Sequence, residues 1–298
     1  MIKKLLTLGA ALVASIGITA CSGLQSKSAT ELELQVYNPQ GQSLFPVTST
    51  LITGPSEAIL IDAQFQKNDA QNLVNMIRAS GKQLTTIYIS HGDPDYYFGL
   101  DVLKAAFPDA QIVATPATVE KMAKTMTGKQ IYWGPILEGN APEQLILPQA
   151  LTHNELTLDG ESIQIIGFDG HDPAHTFAWI PSEQTVLGGV VLSENMHLWM
   201  ADNKTTESRN KWIKTLNVMT ALNPQHVIAG HFIDDTKADT RIIEFTKTYI
   251  KNFEQANRES SDAAQLTEKM KAIYPEDLDA GSLEFSAKVV KGDIQWPQ

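Results

Sequence analysis

Cysteine is almost absent from this sequence, which has 298 residues and a single cysteine, Cys21. One cysteine excludes a disulfide within the chain and excludes a metal centre built from several thiolates. Lys- and Arg-rich runs are also absent, and the formal net charge is −11 at pH 7. Surfaces that bind nucleic acid need clustered basic side chains to neutralise phosphates, so we expect no nucleic-acid partner.

Long apolar runs are scarce. The one at the start of the chain, residues 5–20, is shorter than the ~20 residues that span a bilayer as a helix. Lys3 and Lys4 precede this run, and small residues lead from it to Cys21. A basic start, a short apolar stretch and small residues at its end are typical of an export signal.

The residues around Cys21 resemble a bacterial lipoprotein signal, in which the peptide is cleaved before a cysteine that is then acylated. A plain secretory signal with an incidental cysteine is the alternative, but the position of the only cysteine favours the lipoprotein. The resemblance implies a signal peptide over residues 1–20 and a small, polar, lipidated tether over residues 21–30. We therefore expect a protein of the bacterial cell envelope, periplasmic or outer-membrane, that contacts the membrane through this lipid.

Strand-like and helix-like segments alternate along the rest of the chain. Short apolar runs such as LTTIYIS and AQIVAT predict strands, whereas DAQNLVNMIRAS and SRNKWIKTLNVMTAL have apolar residues at helical spacing. The segment ELTLDGESIQIIGF predicts a hairpin that turns at Asp159-Gly160. The pattern predicts one mixed α/β domain over residues 31–298, with a mainly helical C-terminal segment.

Three histidines directly follow apolar, strand-like segments. His91 follows IYIS, His171 follows IIGFDG and His231 follows HVIAG, while Asp93 and Asp95 lie close to the first of them. Loops at strand ends are where a rigid scaffold presents functional groups. One such histidine is usually an ordinary polar residue. Three of them beside two carboxylates indicate a metal cluster.

The order of four motifs resembles that of the metallo-β-lactamase superfamily across nearly the whole mature chain. The motifs are LIDAQ with Asp62, SHGDPDYYFGL with His91, GHDPAH with His171 and IAGHF with His231. The resemblance implies an α/β fold of four layers, the αββα metallo-β-lactamase sandwich. It also implies a metal-dependent hydrolase.

Three residues depart from the superfamily's ligand pattern. Asp93 and Tyr96 stand where its central motif, His-x-His-x-Asp-His-x-x-Gly, has histidines, and Val190 stands where it often has a bridging carboxylate. The second metal site implied by the resemblance would keep only Asp95 and His231. Valine cannot ligate a metal, and a phenol with a pKa near ~10 is a poor ligand at neutral pH.

The first metal site implied by the resemblance is His91, Asp93 and His171. Two imidazoles and one carboxylate suit a catalytic zinc, because three protein ligands leave the fourth position for water. We therefore expect one zinc per chain. The carboxylate of Asp93 makes the site harder, so that manganese or iron could compete.

The resemblance implies that hydroxide on the metal attacks an ester, lactone, amide or related small molecule, which the sequence does not identify. Asp95 and His231 are the predicted catalytic residues: Asp95 would orient the water or accept its proton, and His231 would hold Asp95 or the substrate. Four other side chains are predicted to contact the metal ligands or to line the pocket, namely Tyr96, Tyr97, His175 and His197.

A second hypothesis is a non-catalytic binding protein of the envelope on a degenerate metallo-β-lactamase fold. Ligands missing at three positions are what such decay would produce. Oxidoreductase chemistry on a di-iron site is disfavoured, because it needs more ligands than the sequence offers. Metal content would discriminate between the first two hypotheses.

Overall fold

The computed structural model describes residues 31–168, 175–234, 236–275 and 279–296. The predicted signal peptide, the tether with Cys21 and the predicted metal ligand His171 therefore lie outside the described residues. Among the residues described, no helix combines the length and the apolar character needed to cross a membrane.

The first sheet has six strands within the described residues. In spatial order they are β1 (Glu33–Tyr37), β2 (Ser49–Thr53), β3 (Glu57–Ile61), β4 (Gln83–Ile89), β5 (Gln111–Ala114) and β6 (Gln149–Ala150). The first three strands pair antiparallel, and the pairs from β3 to β6 are parallel. Strands β2 and β3 are buried along nearly their whole length, because both faces of this sheet are covered.

The second sheet has five described strands in the order β12, β10, β9, β8, β7. They are β7 (Glu155–Leu158), β8 (Glu161–Ile166), β9 (Phe177–Ile180), β10 (Thr185–Leu187) and β12 (His226–Ile228). The predicted hairpin of β7 and β8 is confirmed, and both of its turn residues have positive φ, 48° at Asp159 and 89° at Gly160. A short parallel pair, β11 (Ser193–Glu194) with β13 (His231–Phe232), lies apart from this sheet.

Helices cover the outer face of each sheet. Against the first sheet pack α1 (Lys67–Ser80), α2 (Pro94–Tyr97), α3 (Leu100–Ala106) and α4 (Pro116–Leu137). Against the second pack α5 (Thr206–Ala221), α6 (Arg241–Arg258), α7 (Ala263–Ile273) and α8 (Ala280–Lys291). The last three helices lie in the segment that was predicted to be mainly helical.

One apolar cluster lies beneath the helices of each sheet, and a further cluster joins the two sheets face to face. It contains residues of the first sheet, such as Ile59 and Tyr88, and residues of the second, such as Ile163 and Ile180, all essentially buried. Two sheets packed on each other and covered by helices on both outer faces form four layers. The predicted αββα sandwich is therefore confirmed.

This topology brings two distant chain segments together at one edge. Strand β4 ends at Ile89 and leads directly into the loop that carries His91. Strand β13 begins at His231, which pairs with Ser193 of β11 and forms an isolated bridge with Val47. The edge where these segments meet carries the polar groups described next.

Candidate active site

The loop after β4 is held in place by a buried carboxylate. Asp62, at the end of β3, accepts hydrogen bonds from the backbone amide of Ser90 at 2.8 Å and from its hydroxyl at 2.7 Å. Thr176, before β9, donates to the carbonyl of Ser90 at 3.0 Å. These bonds fix the backbone just before His91. Asp62 has a φ of 65°, a left-handed conformation that Asp and Asn tolerate better than most residues.

The burial of Asp62 has a measurable consequence for stability. Burial raises the pKa of Asp62 to about 7, although hydrogen bonds from Ser90 and Gly189 oppose the shift. A carboxyl with a higher pKa in the folded state than in the unfolded state binds more protons when folded. Its contribution to stability is therefore complete below about pH 4 and is lost as the pH rises through about 7.

We expect the Asp62→Asn variant to be insensitive to this loss, because an amide does not titrate. From pH 5 to pH 8 the variant should gain roughly 2–3 kcal/mol in free energy of unfolding relative to the parent protein. Urea unfolding at both pH values measures this difference, with the exposed Asp109→Asn variant as control. Equal pH slopes for the parent and Asp62→Asn would contradict the assignment.

Asp93 is surrounded by positive and polar groups. Its Oδ1 forms an ion pair with the ammonium of Lys129 and lies 3.6 Å from the Nζ of Lys121. Its Oδ2 lies 3.4 Å from the Nδ1 of His91. Burial opposes ionisation of this carboxyl, but the charges of Lys121 and Lys129 hold its pKa well below the usual value. Asp93 is therefore an ionised carboxylate that forms ion pairs with two ammonium groups.

Asp95 and His231 form a second polar pair. The Nε2 of His231 lies 3.1 Å from the Oδ2 of Asp95, and both side chains are slightly exposed, at 12% and 13%. The other ring nitrogen of His231, Nδ1, is buried without a hydrogen-bond partner among the described residues. His231 thus fixes the carboxylate of Asp95 at a position that solvent can reach.

The phenol of Tyr96 separates the two histidines. Its ring centroid lies 5.5 Å from that of His91 and 5.6 Å from that of His231, in edge-on geometry on both sides. The side chain is fully buried, and its hydroxyl has no partner within the described part of the chain. Burial, followed by the charge of Asp95, raises the pKa of Tyr96 well above its usual value, so the phenol stays protonated.

A cleft of about 700 Å³, including its open mouth, lies over these groups. Its charged and polar lining includes Asp93, Asp95, Lys129, Asp202 and His231, and its aromatic lining includes Phe45, Trp133, Trp199 and Trp296. The indoles of Trp199 and Trp296 donate to Asp202 at 2.7 and 3.0 Å. The volume and the mixed lining suit a small organic molecule.

The four residues predicted to surround the site are placed differently from one another. Tyr96 and His197 line the cleft, whereas Tyr97 and His175 do not belong to its described lining. His175 is buried, stacks on Trp212 with centroids 4.6 Å apart and contacts Asn203 at 3.3 Å.

His197 and Tyr97 differ in their surroundings. The Nδ1 of His197 lies 2.7 Å from the hydroxyl of Tyr249, and burial, followed by the charge of Lys271, lowers the pKa of His197 to about 4. His197 is therefore neutral at pH 7. Tyr97 is buried and packs edge-on against Phe98, with ring centroids 5.3 Å apart.

The described residues contain only part of the predicted zinc site. No group of three His, Cys, Asp or Glu side chains within residues 31–168, 175–234, 236–275 and 279–296 is arranged to hold a metal ion. Of the predicted first set, Asp93 is bound by two lysines and His171 lies outside the described residues. At the second set, the ring of Tyr96 fills the space between the histidines. We therefore assign no reaction step to a metal.

Three charged residues of the site were not predicted from the sequence. Lys121 and Lys129 come from α4, and Asp202 follows the segment that carries His197 and Trp199. The two lysines lie about two helical turns apart, a spacing that places both near the same side of a helix. This spacing in the sequence could have indicated that the two lysines act together. It does not reveal which strand end the helix faces.

Comparison with known proteins gives consistent results. Residues 43–231 match the family model described as Metallo-beta-lactamase superfamily. Metallo-beta-lactamase type 2 of Bacteroides fragilis is 25% identical over 236 residues, which cover 76% of this chain and 86% of that protein. The crystal structure of a metallo-beta-lactamase family protein from Thermus thermophilus is similar at a TM-score of 0.61 and 17% identity, covering 87% of this chain and 91% of the other. At that identity the structural likeness shows the fold alone.

Proposed function

The chain belongs to the metallo-β-lactamase superfamily, whose members are typically metal-dependent hydrolases that bind zinc, and we propose from this that it is a hydrolase of a small ester, lactone, amide or related acyl compound. The observation that carries the proposal is the pairing of Asp95 with His231 at 3.1 Å, at the edge of the aromatic cleft. A carboxylate held in this way can act as a general base.

In the proposed reaction Asp95 accepts a proton from a water molecule as the water oxygen bonds to the acyl carbon. The bond from that carbon to the leaving group then breaks, and the proton on Asp95 passes to the leaving group. Nε2 of His231, 3.1 Å from Oδ2 of Asp95, orients the carboxylate.

The zinc predicted from the sequence is not part of this reaction scheme. Asp93, the carboxylate of the predicted first site, is bound by Lys129 and Lys121 instead. The proposal therefore relies on residues that the structure brings together. It differs in this respect from the usual chemistry of the superfamily.

A substrate panel tests the proposed function. Esters, lactones, β-lactams, amides and phosphodiesters would be incubated with protein treated with a chelator and with protein supplied with zinc. We expect one of the acyl classes to be hydrolysed and the rate to survive the chelator. Hydrolysis that appears only with zinc would contradict the scheme, and hydrolysis of phosphodiesters alone would contradict the substrate class.

The second candidate function is a binding protein without turnover. The ion pairs of Asp93 with Lys121 and Lys129 favour it, because they replace a reactive metal centre by a static charge cluster. A ligand from the same panel that raises the melting temperature without being consumed would support this function. Turnover of any compound of the panel would exclude it.

We also propose that the protein is anchored by lipid at Cys21 in the bacterial cell envelope, on the basis of the signal-like segment before it. Cys21→Ser should shift the protein from the membrane fraction to the soluble fraction or block its processing. Fractionation followed by immunoblotting measures this, with Ser26→Ala in the same tether as control. A Cys21→Ser variant that is processed and fractionates like the parent would show that the anchor is misassigned.

A further inference from the structure

Helix α4 (Pro116–Leu137) directs two lysines at a single carboxylate. Lys129 forms an ion pair with Oδ1 of Asp93, and the Nζ of Lys121 lies 3.6 Å from the same oxygen. The three side chains are mostly buried, with exposures of 14% for Lys129, 26% for Lys121 and 13% for Asp93. An ion pair with this degree of burial is screened far less by solvent than one on the surface.

Within the described part of the chain, the charged groups closest to Asp93 balance one another. Asp202 interacts electrostatically with both lysines and with Asp93. The carboxylates of Asp93 and Asp202 therefore face the ammonium groups of Lys121 and Lys129, while Asp95 pairs with His231. A divalent cation on Asp93 would add two positive charges next to two existing ones. Repulsion between charges this close is strong in a partly buried site.

We propose that the ammonium group of Lys129 takes the place of a divalent cation on Asp93, so that Lys129 and Asp93 form a built-in substitute for the metal of this site. The Nδ1 of His91 lies 3.4 Å from the other oxygen of Asp93. Lys129 and His91 therefore contact the two oxygens of one carboxylate that a metal would otherwise bind. Lys121 supports the arrangement from the same helix. Removal of Lys129 should free one carboxylate oxygen and lower the local positive charge.

The proposal predicts that metal affinity rises when Lys129 is removed. The full chain would be treated with chelator, dialysed and titrated calorimetrically with zinc and with manganese. For the parent protein we expect no binding tighter than about 100 µM, and for Lys129→Met we expect zinc affinity at least about tenfold higher. The control is Lys124→Met on the same helix, an exposed lysine paired with Glu120, which should behave like the parent.

Further variants keep the test decisive. Lys129→Gln retains a polar head group and replaces Lys129→Met if the latter melts more than a few degrees below the parent. Adding His91→Ala to either variant should abolish the gain in zinc affinity, which places the gained ion beside Asp93. A parent protein that binds one zinc tightly, with no gain on removal of Lys129, would overturn the proposal. Metal binding is read directly, so this result is independent of whether the protein hydrolyses any substrate.

Discussion

Asp95→Asn should lower kcat by about 10²- to 10⁴-fold on whichever substrate of the panel is hydrolysed, because the variant retains the shape of the side chain but loses the base. An asparagine side chain has nearly the same shape and can keep its oxygen beside Nε2 of His231, so the fold should be preserved. Steady-state kinetics with a matched melting curve measures the effect. The exposed Asp109→Asn variant serves as the control for loss of one negative charge.

Variants of His231 separate positioning from general-base catalysis. His231→Gln retains a donor towards Asp95 and should keep more activity than His231→Ala, which removes it. If Asp95→Asn were as active as the parent, the base would lie elsewhere and the proposed scheme would be wrong.

Gly230→Ala should destabilise the protein by about 3 kcal/mol or prevent its folding. A β-carbon at Gly230 would overlap the carbonyl oxygen of Gly189 and would lie 2.7 Å from the carbonyl carbon of that residue. Both groups are backbone, so neither can move aside as a flexible side chain would. The hydroxyl of Tyr96 would lie only 3.3 Å from the same β-carbon.

Urea unfolding of Gly230→Ala alongside Gly128→Ala provides the comparison. Gly128 lies within α4, where an added β-carbon meets nothing within 4 Å, so this variant should be neutral or gain about 0.5–1 kcal/mol. A Gly230→Ala protein as stable as the parent would show that the backbones at Gly189 and Gly230 are not in such close contact. A backbone shift that relieved the overlap at Gly230 would also displace His231, the next residue.

The features predictable from the sequence are those that depend on local pattern. Apolar runs ending in a polar turn predicted that His91 and His231 follow strands, as they follow β4 and β12, and the Asp-Gly pair predicted the hairpin of β7 and β8. The four-layer fold followed from the order of motifs and is confirmed. Each of these features depends on a few neighbouring residues, or on a sequence order that whole families share.

The features that were missed depend on contacts between distant elements. The positive charges next to Asp93 belong to Lys121 and Lys129 of α4, which follows Asp93 in the chain after two short helices and strand β5. Helical spacing places the two lysines near one side of α4, but only the packing of that helix decides what this side faces. The one-zinc expectation treated Asp93 as a free ligand. In the structure the carboxylate is already neutralised.

Part of the wall of the cleft comes from the C-terminal segment of the chain. Asp279, Ser282 and Trp296 line the cleft, and all three lie beyond residues 43–231, the stretch that the superfamily model matches. Asp95 and His231 lie within that stretch. The proposed catalytic residues and this part of the cleft wall therefore come from different segments of the chain. We expect exchange of the C-terminal segment to change which small molecules the cleft accepts and to leave the pair of Asp95 and His231 in place.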